Sequence, residues 1–289
     1  MDDQRYQKSS LNTVNRYRNR GRSLLLFFEI MQYGEKHRLT FNISTGKYDY
    51  ATIHSIVDST PVLHVSFGVD FANGEDAFPV ILPMLGCTGS FSGTSTEAKV
   101  KGSRTLYLHG YVSSRIMKLS QNGKGGTSSD GIPICVAATL FDGLILALTP
   151  NHHSCNYRSA VVFGHAHLVT DEPERLYAME LITNNLVPER WQNTRYPNAV
   201  ELKSTGILRV EIDSASAKIR SGTTGEDRND LKDDSMKKNV WAGVIPAYMQ
   251  WGKPTPAKTN VVNPVPGYIE DWRKDMNAKS EEYAYSVAE

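Results

Sequence analysis

The sequence is poor in cysteine and has no long apolar run. Its 289 residues include three cysteines, Cys87, Cys135 and Cys155, and no two of them form a C-x-x-C pair. An odd number of cysteines without that spacing argues against a disulfide framework or a structural zinc site, and it is typical of a reducing compartment. The apolar run at residues 24 to 28 is too short to span a bilayer and begins too late for a secretory signal. We therefore expect a cytoplasmic protein without a membrane partner.

An excess of charge and the common nucleotide fingerprints are missing as well. Lys and Arg total 32 against 31 Asp and Glu, a net charge of +1, and no continuous basic tract occurs, so a nucleic-acid partner is not expected. The sequence contains neither a G-x-G-x-x-G fingerprint nor a Walker A loop, which are the usual marks of dinucleotide and P-loop nucleotide binding. What is present is 40% hydrophobic residues, enough for a substantial core.

The pattern of apolar residues predicts a strand-rich chain. Six or seven alternating or β-branched runs are joined mostly by short turns, and no β-α-β alternation is found. This pattern favours a mainly β fold, an antiparallel barrel with flanking helices, over a doubly wound sheet. Asp49 is a candidate N-cap of one helix, and Asp171 with Glu174 resembles the capping box of another. Phe141-Asp142-Gly143, between two apolar runs, is interpreted as a hairpin turn.

A phosphate-binding pattern follows one of the predicted strands. In "LYLHGYVSSRIMKL" the strand ends at His109 and Gly110, and Ser113, Ser114 and Arg115 open a predicted helix. A helix N-terminus offers unpaired backbone N–H groups and a positive dipole, and two hydroxyls with a guanidinium complete a phosphate cradle. The alternative is that Ser113 is only an N-cap and Arg115 only a surface charge.

The segment "NHHSCNYRSAVVFGHAHLVTD" holds four of the eight histidines. His165 and His167 are two residues apart and face the same way on a strand, as metal ligands can, but no spacing specifies a third ligand. We therefore favour pocket or surface histidines and predict no metal site. Residues 157 to 159 of the segment offer an aromatic ring, a cation and a hydroxyl at the start of a strand.

Six blocks carry a resemblance to a known family. They are "TLYLHGYVSSRIMKL", "DGLILAL", "HHSCNYRSAVVFGHAHLV", "PERW", "ELKSTGILRVEIDSASAKIRSG" and "VWAGVIP", in this order. Together they resemble the flavin-nucleotide-binding branch of the pyridoxamine 5'-phosphate oxidase-like superfamily, over about residues 47 to 255. The resemblance implies an FMN-binding split β-barrel that forms a homodimer, with each flavin at the subunit interface.

The resemblance also implies roles for individual residues. Ser114 and Arg115 match the phosphate loop that follows a barrel strand, and Ser113 assists them. His109 matches a histidine that the nitroimidazole-reductase branch places beside the flavin ring, and it is the predicted catalytic residue. The other implied cofactor-binding residues are Asn156, Tyr157, Arg158, Ser159, Lys218 and Trp241.

The function that follows from the resemblance is an FMN-dependent oxidoreductase acting on an unidentified small molecule, with NADH or NADPH as a candidate reductant. The flavin would carry the electrons, and the protein would bind and orient it. Two alternatives stay open. One is a flavin carrier or sensor without turnover. The other is a haem or metal binder that uses one or more of His109, His152, His153, His165 and His167.

The expected domain organisation has three parts. Residues 1–46 are a poorly patterned N-terminal extension, and residues 22–45 within it form an insert that is either genuine or an artefact of the gene model. Residues 47–255 are the FMN-binding split-barrel domain. Residues 256–289 are a polar C-terminal tail, expected to be loosely ordered.

Overall fold

The computed structural model describes residues 46–47, 49–68, 78–91, 104–122 and 131–289. Within these ranges the strands are β1 (Gly46–Lys47), β2 (Leu63–Phe67), β3 (Val80–Gly89), β4 (Thr105–Tyr111), β5 (Ile132–Leu146), β6 (Ser154–Leu168), β7 (Thr205–Arg220) and β8 (Gly243–Pro246). The α-helices in the same ranges are α1 (Tyr50–Ser59), α2 (Arg115–Asn122), α3 (Glu172–Leu186), α4 (Ala199–Ser204), α5 (Asp234–Asn239) and α6 (Gly267–Ser286). None of the helices in this described part is long and apolar enough to cross a membrane.

Six of the strands close into an antiparallel barrel. Their order is β7-β4-β3-β2-β5-β6, and β6 pairs again with β7, so the sheet closes on itself. The short strand β1 adds to the end of β7, and β8 adds to the end of β5. Closure leaves these six strands without an open edge. The expected mainly β fold, an antiparallel barrel with flanking helices, is confirmed.

Alternation along β4 separates the two hydrophobic clusters of the fold. Leu106 and Leu108 point into the barrel, where they join the main core with Ile53 of α1. Tyr107, between them, points outward into a second cluster under α3, which includes Ile182. All three of these β4 residues are fully buried. Burying a side chain of this size contributes about 1.5–3 kcal/mol, so β4 is anchored from both faces.

Two helices begin as the sequence predicts. Asp49 caps α1, because its Oδ1 accepts a hydrogen bond from Thr52 N at 2.8 Å. Asp171 caps α3 by accepting from Glu174 N at 3.1 Å. The carboxylate of Glu174 accepts instead from the hydroxyl of Tyr107 at 2.8 Å, so it fixes α3 to the outer face of β4.

The predicted hairpin at residues 141–143 is wrong. The strand β5 runs through this point, and its pairing with β6 shifts register between Phe141 and Gly143 as a β-bulge. A Cβ on Gly143 would lie 2.9 Å from the carbonyl oxygen of Ile245, so glycine is required by the close approach of β8. The buried Asp142 is held by an ion pair with Arg158.

The loosely ordered C-terminal tail is also a wrong expectation. Residues 267–286 form the 20-residue helix α6. The helix is held by aromatic contacts with distant parts of the chain, since Trp272 packs on Trp251 with ring centroids 5.1 Å apart. Ala284 near its end is buried. The insert at residues 22–45 lies outside the described residues, and the division of the chain into three parts stays a prediction.

Candidate functional site

The junction between β4 and α2 holds a buried hydroxyl. Ser114 directly precedes α2 and its backbone N donates to the carbonyl of Tyr111 at 2.9 Å. An N-cap serine usually accepts a hydrogen bond from a backbone N–H of the first helical turn. The Oγ of Ser114 is buried, yet it has no hydrogen-bond partner among the described residues. Leaving such a group unsatisfied costs about 1–3 kcal/mol, which a ligand atom could offset. Its neighbours Ser113 and Arg115 are exposed.

His109 lies five residues before Ser114, on the outer face of the barrel. It pairs with Leu85 of β3 on one side and Ile207 of β7 on the other. Its side chain reaches solvent, but the surrounding protein atoms desolvate the ring and lower the pKa of His109 below its ordinary value of 6.5. The imidazole is therefore neutral at neutral pH. A neutral ring can accept a proton, hold a hydrogen bond or ligate a metal ion, but it is a poor reservoir of protons.

A second group of predicted residues meets on β6 and β7. Ser159 lies opposite Lys218, and its hydroxyl donates to the Lys218 carbonyl at 3.2 Å. The Lys218 ammonium lies 5.6 Å from the ring centroid of Tyr157, within the range of a cation–π contact. The structure thus brings Tyr157, Ser159 and Lys218 together, and we call them the β6–β7 group.

Asn156 is buried and its amide is bonded within the chain. Its Nδ2 donates to the carbonyls of Gly222 at 3.0 Å and Val287 at 3.1 Å. Its Oδ1 accepts from the guanidinium of Arg220 at 2.7 Å. Asn156 therefore connects the end of α6 to β6 and has a structural role. Its predicted contact with a cofactor stays a prediction.

Arg158 has strong partners within the chain too. Its guanidinium donates two hydrogen bonds to the Asp142 carboxylate, at 2.7 and 3.0 Å, and lies 3.8 Å over the Tyr283 ring of α6. The Asp142 carboxylate is nearly inaccessible, with a side-chain exposure of 5%. The arginine that the resemblance assigns to the cofactor thus also neutralises a buried acid and fixes α6.

Trp241 is distant in sequence from the β6–β7 group. It lies close in sequence to β8, which pairs with the C-terminal end of β5, and β5 in turn pairs with β6. It comes two residues before β8, which pairs with Gly143–Leu146, and it is 64% exposed. Gly143 in turn pairs with Asn156.

The two groups of predicted residues lie at opposite ends of β7. His109 pairs with Ile207 near the start of that strand, and Ser159 pairs with Lys218, eleven residues further on. At about 3.3 Å per residue, eleven residues are roughly 36 Å of strand. The β4–α2 junction and the β6–β7 group of one chain therefore lie far apart along this strand.

Comparison with known families and structures agrees with this barrel. The model of the pyridoxamine 5'-phosphate oxidase family matches residues 49–219, well over half of the chain. The chain belongs to the pyridoxamine 5'-phosphate oxidase family. Of two similar solved structures, the flavocytochrome Anf3 from Azotobacter vinelandii is 26% identical, with a TM-score of 0.62 and coverage of 80% of this chain and 92% of its own. The FAD and heme binding protein from Mycobacterium smegmatis is 23% identical, with a TM-score of 0.62 and coverage of 79% and 97%. No curated protein sequence matches the chain.

This member of the pyridoxamine 5'-phosphate oxidase family also has cavities that are lined in part by α6. A cavity of about 420 Å³ between α6 and the barrel is lined by Arg158, Asp142, Tyr248 and Trp251, among others. A neighbouring cavity of about 500 Å³ shares Trp251 and adds Trp272. Each is large enough for a small organic molecule.

Sequence reasoning missed one histidine of the outer face. His64 pairs with Pro83, and Leu85, two residues further along β3, pairs with His109. Residues paired directly across strands face the same side, and so do residues two apart, so His64 and His109 share one face. Alternation in "LHVSF" indicates that His64 points away from the core, but the sequence does not indicate which strand lies beside it.

Proposed function

We propose that the protein is a homodimeric, flavin-dependent oxidoreductase in which each flavin lies between two copies of the chain. Membership of the pyridoxamine 5'-phosphate oxidase family supports this, since the family includes oxidoreductases. The name of the 26% identical flavocytochrome adds support for a flavin. The flavin, when bound, would supply the electron-transfer chemistry, and this chain would supply binding, orientation and electrostatics.

The observation that carries the proposal is the unpartnered hydroxyl of Ser114 at the start of α2. A phosphate oxygen at this position would accept from Ser114 Oγ and from N–H groups of the first turn of α2, where the helix dipole favours negative charge. Arg115 would contribute a charge-assisted hydrogen bond, and Ser113 a second hydroxyl. The residues present therefore fit the phosphate end of a flavin nucleotide.

The need for a second copy follows from the distance along β7. We expect that one flavin does not contact both the β4–α2 junction and the β6–β7 group of the same chain, because the two lie far apart along β7. A twofold axis that sets the junction of one protomer beside the β6–β7 group of its partner would build two equal sites, as closed homodimers do. Exposed apolar side chains on the His109 face also favour a covering partner, since Ile81 is 62% and Tyr111 is 64% exposed.

His109 is the residue we propose to act beside the flavin ring. The lowered pKa leaves its imidazole neutral, so we assign it a hydrogen bond to the ring system or to substrate rather than proton donation at neutral pH. His109→Ala is expected to keep the flavin bound and to slow reoxidation of the reduced protein by an acceptor, about 10²-fold if the neutral ring accepts a proton in that step. Wild-type reoxidation in the variant would give His109 a purely structural role.

Haem binding is a second candidate, favoured by the shared face of two exposed histidines. His64 and His109 lie two strands apart on that face, and neutral imidazole is the form that ligates haem iron. The flavocytochrome relative gives this candidate further support. Haem binding would give the purified protein a Soret band, and this band should be lost in His109→Ala or His64→Ala.

The test of the proposed function is the cofactor content of the purified protein. Yellow protein is expected, and chromatography of the released cofactor separates FMN, which the family resemblance predicts, from FAD, which the mycobacterial neighbour's name specifies. Arg115→Ala should weaken flavin binding by about 1.5–3 kcal/mol, the strength of a hydrogen bond to a charged group. Lys118→Ala, an exposed cation one turn further along α2, is the matched control. Equal flavin affinity in the two variants would place the phosphate elsewhere.

A further inference from the structure

A cluster of one histidine and three carboxylates lies where the β5–β6 turn meets the loop after β7. His152, Asp227 and Asp230 each offer a ligand atom, and these three atoms lie within 4.8 Å of one another. Glu226 adds a fourth group, because its Oε2 lies 4.0 Å from His152 Nδ1. The turn and the loop are more than 70 residues apart in sequence, so only the fold brings them together.

Two buried atoms in this cluster lack partners. His152 Nδ1 and Glu226 Oε2 are both buried without a hydrogen bond among the described residues. The Glu226 side chain is only 6% exposed, and its other oxygen accepts from Leu148 N at 3.0 Å. That bond fixes the carboxylate so that Oε2 points at the histidine. A buried carboxylate oxygen near an imidazole nitrogen and left without a partner needs an explanation, because burying an unpaired polar atom is unfavourable.

We propose that this cluster binds one divalent transition-metal ion, with His152 Nε2, Asp227 and Asp230 as ligands and Glu226 as the partner of His152. The two ring nitrogens face different groups, since Nδ1 faces Glu226 and Nε2 lies 4.0 Å from Asp227 Oδ2. Metal-binding histidines usually donate the N–H of the other ring nitrogen to a carboxylate, which fixes the tautomer and orients the ring. If Nδ1 and Oε2 close in from 4.0 Å to form a hydrogen bond, the lone pair of Nε2 is left for the metal ion that the two aspartates would share.

The ligand set selects the class of ion. An imidazole nitrogen with two carboxylates suits zinc and other first-row divalent metals, whereas calcium and magnesium prefer all-oxygen sites. Ligand bonds of about 2.0–2.2 Å require the three atoms to close in by about an ångström. The exposed Asp227 and the surface loop can make that movement, and three protein ligands leave a coordination position for water. Binding would clamp residues 221–233 onto the β5–β6 turn.

Calorimetric titration of the tag-free, chelator-treated full chain with Zn²⁺ tests the site. One Zn²⁺ per chain is expected, with Mg²⁺ binding far more weakly, and Co²⁺ should give an absorption band that Zn²⁺ removes. Glu226→Gln should lower the Zn²⁺ affinity roughly 10–100-fold, the usual effect of losing the carboxylate partner of a metal-binding histidine. His152→Gln should abolish the one-to-one binding. Asp227→Asn should also lower the Zn²⁺ affinity. Because Asp227 is exposed, this variant should fold like the wild type, and circular dichroism checks that it does.

His165→Gln is the matched control. It also removes a histidine beside a carboxylate, since His165 Nδ1 lies 2.8 Å from Asp213, but it leaves the cluster intact. Zn²⁺ affinity in this variant should equal that of the wild type. The proposal is overturned if the wild-type chain binds no stoichiometric Zn²⁺, or if Asp227→Asn binds it as tightly as the wild type does.

Discussion

Replacing Arg158 by alanine should destabilise the protein itself, whether or not a cofactor is bound. The guanidinium holds both oxygens of Asp142, at 2.7 and 3.0 Å, and the Asp142 side chain is 5% exposed. Removing one partner of a buried ion pair leaves an uncompensated charge and typically costs 3–5 kcal/mol. Arg158 is 25% exposed, which places the cost near the lower end of that range, at about 3 kcal/mol.

The contact with α6 adds a smaller amount. The guanidinium lies 3.8 Å over the Tyr283 ring, and a cation–π contact of this kind contributes about 0.5–1 kcal/mol. The expected loss for Arg158→Ala is therefore about 4 kcal/mol in the free energy of unfolding. Tyr283→Leu should lose only the smaller part. The double variant Asp142→Leu with Arg158→Leu should recover much of the loss, because no buried charge is left unpaired.

Urea denaturation of the flavin-free protein, followed by circular dichroism, measures these differences. Arg195→Ala is the control, since Arg195 pairs with Glu201 on the surface, and its unfolding midpoint should equal that of the wild type. A loss below about 1 kcal/mol in Arg158→Ala would show that the buried ion pair is not formed.

Further predictions concern buried groups and close packing. Burial lowers the pKa of His54 below 6.5, so the unfolded chain takes up a proton that the folded chain does not, and stability should fall as the pH drops below 6.5. His54→Leu should reduce this loss of stability in denaturation curves recorded between pH 7 and 5, on either side of 6.5. An unchanged loss in the variant would show that His54 is not its source. Burial raises the pKa of Cys87 to about 12, so iodoacetamide should label it only after unfolding, and rapid labelling of the native protein would contradict the burial. A Cβ on Gly164 would lie 2.1 Å from the Glu211 carbonyl oxygen, so Gly164→Ala should cost at least about 1–3 kcal/mol, whereas Gly68→Ala, with open space around it, is the control in the same thermal melt.

The fold could be predicted from alternation along the strands. Alternation in β4 predicts Leu106 and Leu108 on one face and Tyr107 on the other, whereas the burial of Tyr107 in a second cluster is seen only in the structure. The caps at Asp49 and Asp171 are local and follow from residue type and spacing. Strand register could not be predicted, because it depends on contacts between segments that are distant in the chain.

The errors have the same origin. Asp142-Gly143 has the chemistry of a turn, but here the glycine admits β8 and the aspartate pairs with Arg158. The polar C-terminal segment has no strong apolar face, and α6 is fixed by Trp251 and Arg158 from other parts of the chain. Such long-range contacts override local preference.

Only part of the candidate site could be predicted from the sequence. Ser113, Ser114 and Arg115 are adjacent in sequence, so their junction could be predicted from the strand-to-helix pattern. The unpartnered state of the Ser114 hydroxyl needed the structure. The separation of this junction from Lys218 also needed the structure, since neither strand lengths nor strand pairings can be read from the residues alone.

Complementation between two defective chains shows whether a flavin site is shared between two protomers. Arg115→Ala damages the β4–α2 junction, and Lys218→Ala damages the β6–β7 group. If each flavin lies between two copies, a heterodimer of these variants has one intact site and one doubly damaged site. Co-expressed with different tags and purified as the heterodimer, it should bind one flavin with wild-type affinity, while each homodimer binds flavin weakly at both sites. A heterodimer that binds flavin no better than the homodimers would contradict a site shared between protomers.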